Sequence, residues 1–135
     1  MKKWMKMTAT MMAAAMALTA CGGNDAADDS ADAGETYTVG IIQQLEHPAL
    51  DQATKGFEDK LTELLGDKVK FDYQNAQGEQ TNCTTIATKF VSNDVDLIMA
   101  NATTALQAAA AATGDIPIVG TSVTDYKTAL QERLQ

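Results

Sequence analysis

Three segments of this chain carry side chains whose types and spacing could do chemistry. Glu46 stands next to His47, and a carboxylate beside an imidazole is a pairing that general acid–base catalysis uses. Residues 101–104, Asn-Ala-Thr-Thr, open a predicted helix, where exposed backbone N–H groups and the helix dipole suit a carboxylate. Asp125 could pair with the ammonium group of a ligand. These segments predict either an acid–base pair or contacts for a charged small molecule.

Each of these features also has a simpler structural interpretation. His47 precedes Pro48, and a histidine in that place is more often a helix cap or hydrogen-bond partner than a catalytic base, so we favour the cap. Thr103 could cap the helix that it opens, which would still leave other N–H groups free for a carboxylate. Asp125 could cap a last short helix, and the sequence supports capping and ammonium binding equally.

Alternating strands and helices are predicted to position these segments. Short apolar runs predict strands at residues 37–42, 69–73, 95–100 and 116–120. Helical spacing of apolar residues, or richness in alanine, predicts helices at residues 48–65, 79–92 and 103–113, and a short one that Asp125 begins and that runs to the end. Short strand–helix connections favour an α/β fold with a doubly wound parallel sheet, in the flavodoxin-like order 2-1-3-4.

The loops after these strands give the strongest functional indication in the chain. In an open parallel sheet, ligands bind outside the carboxyl ends of the strands, where the strand order reverses. The loops expected there are rich in hydrogen-bonding side chains and comprise residues 43–47, 75–77, 101–104 and 121–125. We therefore expect a binding site along this edge of the sheet.

The N-terminal segment has the layout of a secretory signal peptide. Three lysines precede an apolar run at residues 7–18, which is shorter than the roughly 20 residues that cross a bilayer. Residues 18–21, Leu-Thr-Ala-Cys, resemble the lipobox of bacterial lipoproteins, which implies cleavage before Cys21 and lipidation of its thiol. An ordinary cleaved signal is the alternative. Residues 21–36 are acidic and poor in apolar residues, which predicts a disordered tether rather than a docking tail.

Composition excludes several functional classes. The chain has 135 residues and a formal charge of −8, or about −11 without the leader and its three lysines, which argues against nucleic-acid binding. The part after the leader suits one small domain. There is no phosphate-binding glycine motif, no Gly-x-Ser-x-Gly elbow and no Cys/His cluster, so we expect no cofactor and no metal. Cys83 is expected to be a small buried residue.

Several stretches, in order, resemble one known family. They include residues 40–43, Gly-Ile-Ile-Gln, residues 47–51, His-Pro-Ala-Leu-Asp, and residues 73–78, Tyr-Gln-Asn-Ala-Gln-Gly, and the resemblance extends over residues 37–129. It is to the ABC-transporter substrate-binding lipoproteins of the tryptophan/tyrosine-type group. The resemblance implies a type I periplasmic-binding-protein fold of two α/β lobes. It also implies a small solute between the lobes, in several members an aromatic amino acid, and delivery to a permease and ATPase complex at the membrane.

Loop position and the resemblance together assign a ligand-binding site. Its expected residues are Gln44, Glu46, His47, Asn101, Thr103, Thr104, Thr124 and Asp125. The first three would line one wall, the next three would receive a carboxylate, and the last two would meet the amine or the hinge-side edge.

The chain departs from the family in length. Members continue past residues 123–125 into a glycine-rich loop, a hinge and a second lobe, so residues 37–135 are expected to be the N-terminal lobe alone. A truncated or frameshifted reading frame, or a split gene, would account for this. Three alternatives stay open: a surface enzyme that uses Glu46 and His47, a single-lobe signalling or structural lipoprotein, and a non-functional fragment.

Overall fold

The structure, a computed structural model, describes residues 34–131. The predicted signal peptide, Cys21, residues 22–33 of the predicted tether and residues 132–135 lie outside the described residues. Strands and helices alternate along the described part, with a short 3₁₀ turn at Gly66–Lys68. The elements are β1 (Tyr37–Gln43), α1 (Pro48–Leu65), β2 (Val69–Asn75), α2 (Gln80–Ser92), β3 (Leu97–Asn101), α3 (Thr103–Ala112), β4 (Ile118–Thr121) and α4 (Tyr126–Leu130).

The four strands form one parallel sheet in the order β2-β1-β3-β4. This confirms the predicted α/β fold and strand order. The order reverses between β1 and β3, because β2 lies on one side of β1 and the later strands lie on the other. The place where a ligand is expected in such a sheet is therefore the carboxyl end of these two central strands.

Helices cover the two faces of the sheet with apolar cores of different size. The larger core packs β1 and β3 against α2 and α3, and its fully buried members include Ile42, Phe90 and Ile98. The smaller core, against α1, is built around Ile41 and Met99. Alternate residues of a strand point to opposite faces, so neighbouring strand residues supply the two cores in turn.

One glycine is needed where the larger core is tightest. A Cβ atom on Gly40 would lie 2.5 Å from the Phe90 ring, well inside van der Waals contact. Phe90 is fully buried, and protein cores are close-packed, so its ring could move aside only by displacing its neighbours. Glycine at this position lets α2 pack directly against the backbone of β1.

The boundaries of several elements differ slightly from the prediction. Gly66 ends α1 with φ 55°, as expected for a glycine stop. The third helix, predicted over residues 103–113, ends at Ala112, because Thr113 is the C-cap and its Oγ1 accepts hydrogen bonds from Asp115 N and Ile116 N. β4 begins at Ile118 rather than residue 116, since Pro117 has no N–H to donate to a strand ladder.

Cys83 is fully buried in the α2 face, as predicted, and burial raises the pKa of its thiol, so it stays protonated and unreactive. Among residues 34–131, no helix is long and apolar enough to cross a membrane.

Candidate functional site

The carboxyl ends of the four strands form a row of polar residues. Gln43 is paired in register with Asn75 of β2 on one side and with Asn101 of β3 on the other, and Asn101 is paired with Thr121 of β4. Every strand therefore ends at the same level with an amide or hydroxyl side chain. The four following loops start from this level, and we call the row and its loops the carboxyl edge.

Backbone hydrogen bonds join the loops of the carboxyl edge to one another. Gln44 N donates to Asn101 O at 3.2 Å, and Gln44 O accepts from Gly78 N at 2.7 Å. On the other side, Ala102 N donates to Thr121 O at 2.9 Å. The predicted site residue Gln44 thus sits between the β2 and β3 loops, and the edge is continuous across all four strands.

The N-terminus of α3 is open to the carboxyl edge. The alternative in which Thr103 caps α3 does not hold: Ala102 is the N-cap, it has no side chain that can bond to the first turn, and Thr103 is the first helical residue. The first N–H groups of a helix have no partner inside the helix, and they carry its positive dipole end. Thr103 Oγ1 instead accepts from Thr124 N at 3.4 Å, which ties α3 to the β4–α4 loop.

Ala102 has an unusual backbone conformation for this position. Its φ of 96° and ψ of 164° fall in a region that is occupied almost only by glycine. The hydrogen bond from its N–H to Thr121 O and the start of α3 at the next residue hold it there. The strained link places the first-turn N–H groups of α3 directly after the buried Asn101.

The residues predicted for the first wall lie on the β1–α1 loop. Gln44 is half-buried, whereas Glu46 and His47 are exposed. His47 is the N-cap of α1, and its Nδ1 accepts from Ala49 N at 3.2 Å, which confirms the cap interpretation. A nitrogen that accepts this bond is occupied and is poorly placed to serve as a catalytic base.

Asp125 also caps a helix, as one of its two interpretations required. Its Oδ1 accepts from Lys127 N at 2.9 Å, and its Oδ2 accepts from Thr128 Oγ1 at 2.7 Å. The hydrogen bonds from Thr128 and then Lys127 hold the pKa of the Asp125 carboxyl below its usual range, so it is charged at neutral pH. The exposed carboxylate keeps lone pairs that are free for an ammonium group.

Asn101 was expected to contact the solute, but its side chain points inward. Asn101 is fully buried, and its Nδ2 donates to Leu50 O at 2.8 Å and to Thr54 Oγ1 at 2.9 Å, both on α1. Among the described residues, its Oδ1 is the buried side-chain oxygen without a hydrogen-bond partner. At the edge, a carboxylate would therefore meet the N-terminus of α3 rather than the Asn101 side chain.

Gln43 and Thr54 belong to the same buried cluster, and neither was among the predicted ligand-binding residues. Gln43 is fully buried at the end of β1, and its Oε1 accepts from Thr54 Oγ1 at 2.7 Å. Its Nε2 donates to Leu45 O at 3.0 Å and to Asp51 Oδ1 at 2.5 Å. A signal was available, because an amide that ends an otherwise apolar strand must find partners when it is buried.

The α1 side of the carboxyl edge is electronegative. Burial, and then the Asp51 carboxylate, raise the pKa of the Tyr73 hydroxyl, and Glu46 and Glu58 act in the same direction. Tyr73 is 42% exposed and lies near the end of β2. The edge therefore carries negative charge beside α1 and the positive end of a helix dipole at α3.

Two cavities in the described part of the chain lie away from the carboxyl edge. Cavities of about 410 Å³, beside the C-terminal half of α3, and about 310 Å³, at the amino end of the sheet, are lined by none of the predicted site residues. No group of three or more His, Cys, Asp or Glu residues within 34–131 could hold a metal ion. The carboxyl edge is an open surface in this part of the chain.

Comparison with known proteins identifies the class of protein to which this chain belongs. Residues 38–130 match the family described as ABC transporter substrate binding protein, and the chain belongs to that family. The tyrosine-binding protein of Clostridioides difficile strain R20291 is 45% identical over 116 residues, which cover 80% of this chain and 34% of that protein. The resemblance seen in the sequence is thereby confirmed.

Solved structures agree with this assignment. The ligand-free, open structure of a substrate binding protein with adhesive properties from Clostridium difficile is 42% identical, with a TM-score of 0.67. A conserved domain protein from Vibrio cholerae O1 biovar El Tor is 40% identical, with a TM-score of 0.68. An ABC domain in complex with L-Trp from Streptococcus pneumonia is 37% identical, with a TM-score of 0.66. Each match covers 70% of this chain and 33% of the other, so this chain spans about a third of the length of its relatives.

Proposed function

We propose that this chain captures a small solute for an ABC importer and that the solute is an amino acid. The observation that carries the proposal is the continuous carboxyl edge, with its row of polar strand ends beside the uncapped N-terminus of α3. Family membership supports a binding role, since substrate-binding proteins are generally not enzymes. A relative named for tyrosine and a neighbour holding L-Trp support an aromatic amino acid.

The edge offers complementary charges for the two ends of an amino acid. In this proposal the solute carboxylate accepts hydrogen bonds from the first-turn N–H groups of α3, around Thr103 and Thr104. The ammonium group lies toward Thr124 and the charged Asp125, and the bond from Thr124 N to Thr103 Oγ1 keeps these two segments adjacent. Gln44, Glu46 and His47 form the wall on the other side.

A charge placed at the start of α3 tests the carboxylate contact. Thr104 and Thr81 both occupy the second position of their helices, α3 and α2. Glutamate at either position favours the helix, by about 0.3–1 kcal/mol through the dipole. We expect Thr104→Glu to abolish binding of L-tyrosine and L-tryptophan by repelling and replacing the solute carboxylate, and Thr81→Glu to leave binding unchanged.

Amide chemical shifts of the ¹⁵N-labelled chain provide the measurement. An edge that contacts the solute from one side is expected to bind at about millimolar, near −4 kcal/mol. L-tyrosine and its analogue without the amino group should shift the Thr103 and Thr104 amides, whereas tyramine, which lacks the carboxylate, should not. Equal shifts with all three compounds, or retained binding in Thr104→Glu, would overturn the proposed carboxylate contact.

The same proposal places the domain outside the cytoplasm on a lipid anchor. Substrate-binding proteins of ABC transporters are extracytoplasmic, and the lipobox-like residues 18–21 support attachment through Cys21. One acyl chain alone anchors a protein only marginally, so a diacylated cysteine supplies the second signal that stable anchoring needs. We expect Cys21→Ser to move the protein from the detergent phase to the aqueous phase on phase partitioning, while Cys83→Ser leaves it in the detergent phase.

A further inference from the structure

A buried polar cluster lies beneath the carboxyl edge. It links the ends of the two central strands to the first turns of α1 through Gln43, Asn101 and Thr54, which are 0%, 0% and 5% exposed. Thr54 Oγ1 is the centre of the cluster, because it donates to Gln43 Oε1 at 2.7 Å and accepts from Asn101 Nδ2 at 2.9 Å. Among the described hydrogen bonds, this cluster is what connects β1, β3 and α1 through side chains.

The bonds of this cluster fix the orientation of both amides. Asn101 Nδ2 faces Leu50 O, which can only accept, so the amide cannot be turned around without placing two oxygens together. Gln43 Nε2 is held in the same manner between Leu45 O and the Asp51 carboxylate. The Thr54 hydroxyl, which donates one hydrogen bond and accepts another, therefore joins the side-chain amides of Gln43 and Asn101.

Two of the acceptors in this cluster belong to the segment that forms the predicted wall. Leu45 O lies inside the β1–α1 loop, between Gln44 and Glu46, and Asp51 lies in the first turn of α1 that His47 caps. The last two residues of this loop, Glu46 and His47, are exposed. Directional hydrogen bonds hold the loop, from the Gln43 side chain to Leu45 O and Asp51 and through the backbone of Gln44, whereas apolar packing holds the helices.

We propose that Gln43, Thr54 and Asn101 are positioning residues that hold the β1–α1 loop in place for the solute. This inference rests on the proposed function for its biological meaning, but the positioning itself exists without a solute. None of the three residues contacts the solute. They act through Leu45 O, Asp51 and Leu50 O, and they set where Gln44, Glu46 and His47 lie relative to α3.

Thr54→Val tests the inference, because it removes the hydroxyl with little change of volume. Thr62→Val is a matched control on the same helix, at an exposed position outside the cluster, and Thr54→Ser restores the hydroxyl. The readout is amide hydrogen exchange in the whole chain without solute. Gln44 N, which donates to Asn101 O, reports on the loop, and Ile41 in the centre of β1 reports on the sheet.

We expect Thr54→Val to accelerate exchange at Gln44 and Asp51 by about tenfold relative to Ile41, the size expected when buried amides lose one partner. Thr54→Ser and Thr62→Val should leave this ratio unchanged. A purely structural role would accelerate all three amides together and would overturn the inference. If Thr54→Val does not fold, Asp51→Ala decides, since Asp51 is exposed and only the bond from Gln43 Nε2 is lost. The Gln44 amide should again exchange selectively faster.

A solute titration separates this inference from the proposed function. In Thr54→Val, L-tyrosine should still shift the Thr104 amide but should shift the Gln44 amide less than in the unmodified chain. If L-tyrosine shifts neither amide in the unmodified chain, the proposed function fails, while the exchange ratio still decides the positioning role. Unchanged shifts at Gln44 in a variant with an altered exchange ratio would overturn the link between the cluster and solute contact.

Discussion

The two faces of the sheet are held by different forces. The face toward α2 and α3 is an apolar core, in which Phe90 lies against the bare backbone of Gly40. The face toward α1 has a smaller apolar core and, at its carboxyl end, the hydrogen-bonded cluster around Thr54. Apolar packing resists changes of volume but is not directional, whereas hydrogen bonds fix orientation. The first face therefore stabilises the domain, and the second places the residues of the carboxyl edge.

The largest effect is expected from crowding the α2 face. Gly40→Ala puts a methyl group 2.5 Å from the Phe90 ring and should lower the free energy of unfolding by about 3 kcal/mol. Gly56→Ala is the control, because it lies inside α1 with no atom within 4 Å and should raise stability by about 0.5–1 kcal/mol. Urea denaturation measures both changes.

A second substitution sharpens this prediction. Phe90→Leu provides space near position 40, so the double variant Gly40→Ala/Phe90→Leu should be less destabilised than the sum of its single variants. Additive effects in this cycle would show that the close approach of Gly40 and Phe90 does not limit packing on the α2 face.

An intermediate effect is expected from the buried amides of the α1 face. Gln43 makes three side-chain hydrogen bonds, whereas Asn101 makes two and buries an unpaired oxygen. Removing Asn101 also removes that unpaired group, so Asn101→Ala should cost about 1 kcal/mol and Gln43→Ala about 2. Denaturation of the two variants side by side checks the order, and a larger cost for Asn101→Ala would mean that its oxygen has a partner in solution.

The smallest effect is expected at Asp125, which lies outside both cores. The pKa of Asp125 is lowered in the folded state. Its contribution to stability is therefore present above its usual pKa and is lost as the pH falls through the lowered value. We expect α4 to fray in acid while the sheet stays folded, seen as faster amide exchange at Lys127 and Thr128. Asp125→Ala should show the same fraying at neutral pH, and Asp115→Ala should not.

The fold could be predicted from the sequence because its signals are local. The runs at Tyr37–Gln43 and Leu97–Asn101 are apolar and short, and α1 has a proline at its start and a glycine at its end. Few topologies are compatible with alternating strands and helices on short connections, so the observed strand order was one of a small number of candidates. The element boundaries differed from the prediction where a single residue determined them: Pro117 at the start of β4 and Thr113 at the end of α3.

The candidate site was less predictable because its contacts join distant parts of the sequence. The loops were located correctly, since parallel strands bring their carboxyl ends to one edge. Thr54 and Asn101 are 47 residues apart, however, and their contact depends on the register of β3 and the rotation of α1. Threonine is a common cap residue and alanine is not, so the sequence offered Thr103 rather than Ala102 as a possible cap of α3. Nothing in the sequence indicates the positive φ of Ala102.

The conformation of Ala102 has a consequence for thermal stability. An alanine with φ 96° costs the folded state about 1–3 kcal/mol, whereas glycine at this position would cost about 0.4–1 kcal/mol through the greater freedom of the unfolded chain. The balance favours glycine at the larger values of strain, which reverses the usual rule that alanine is the safer residue beside a helix. Each kilocalorie gained raises the melting temperature of a domain this small by about 4–8 °C. We therefore expect Ala102→Gly to raise the heat resistance of this domain.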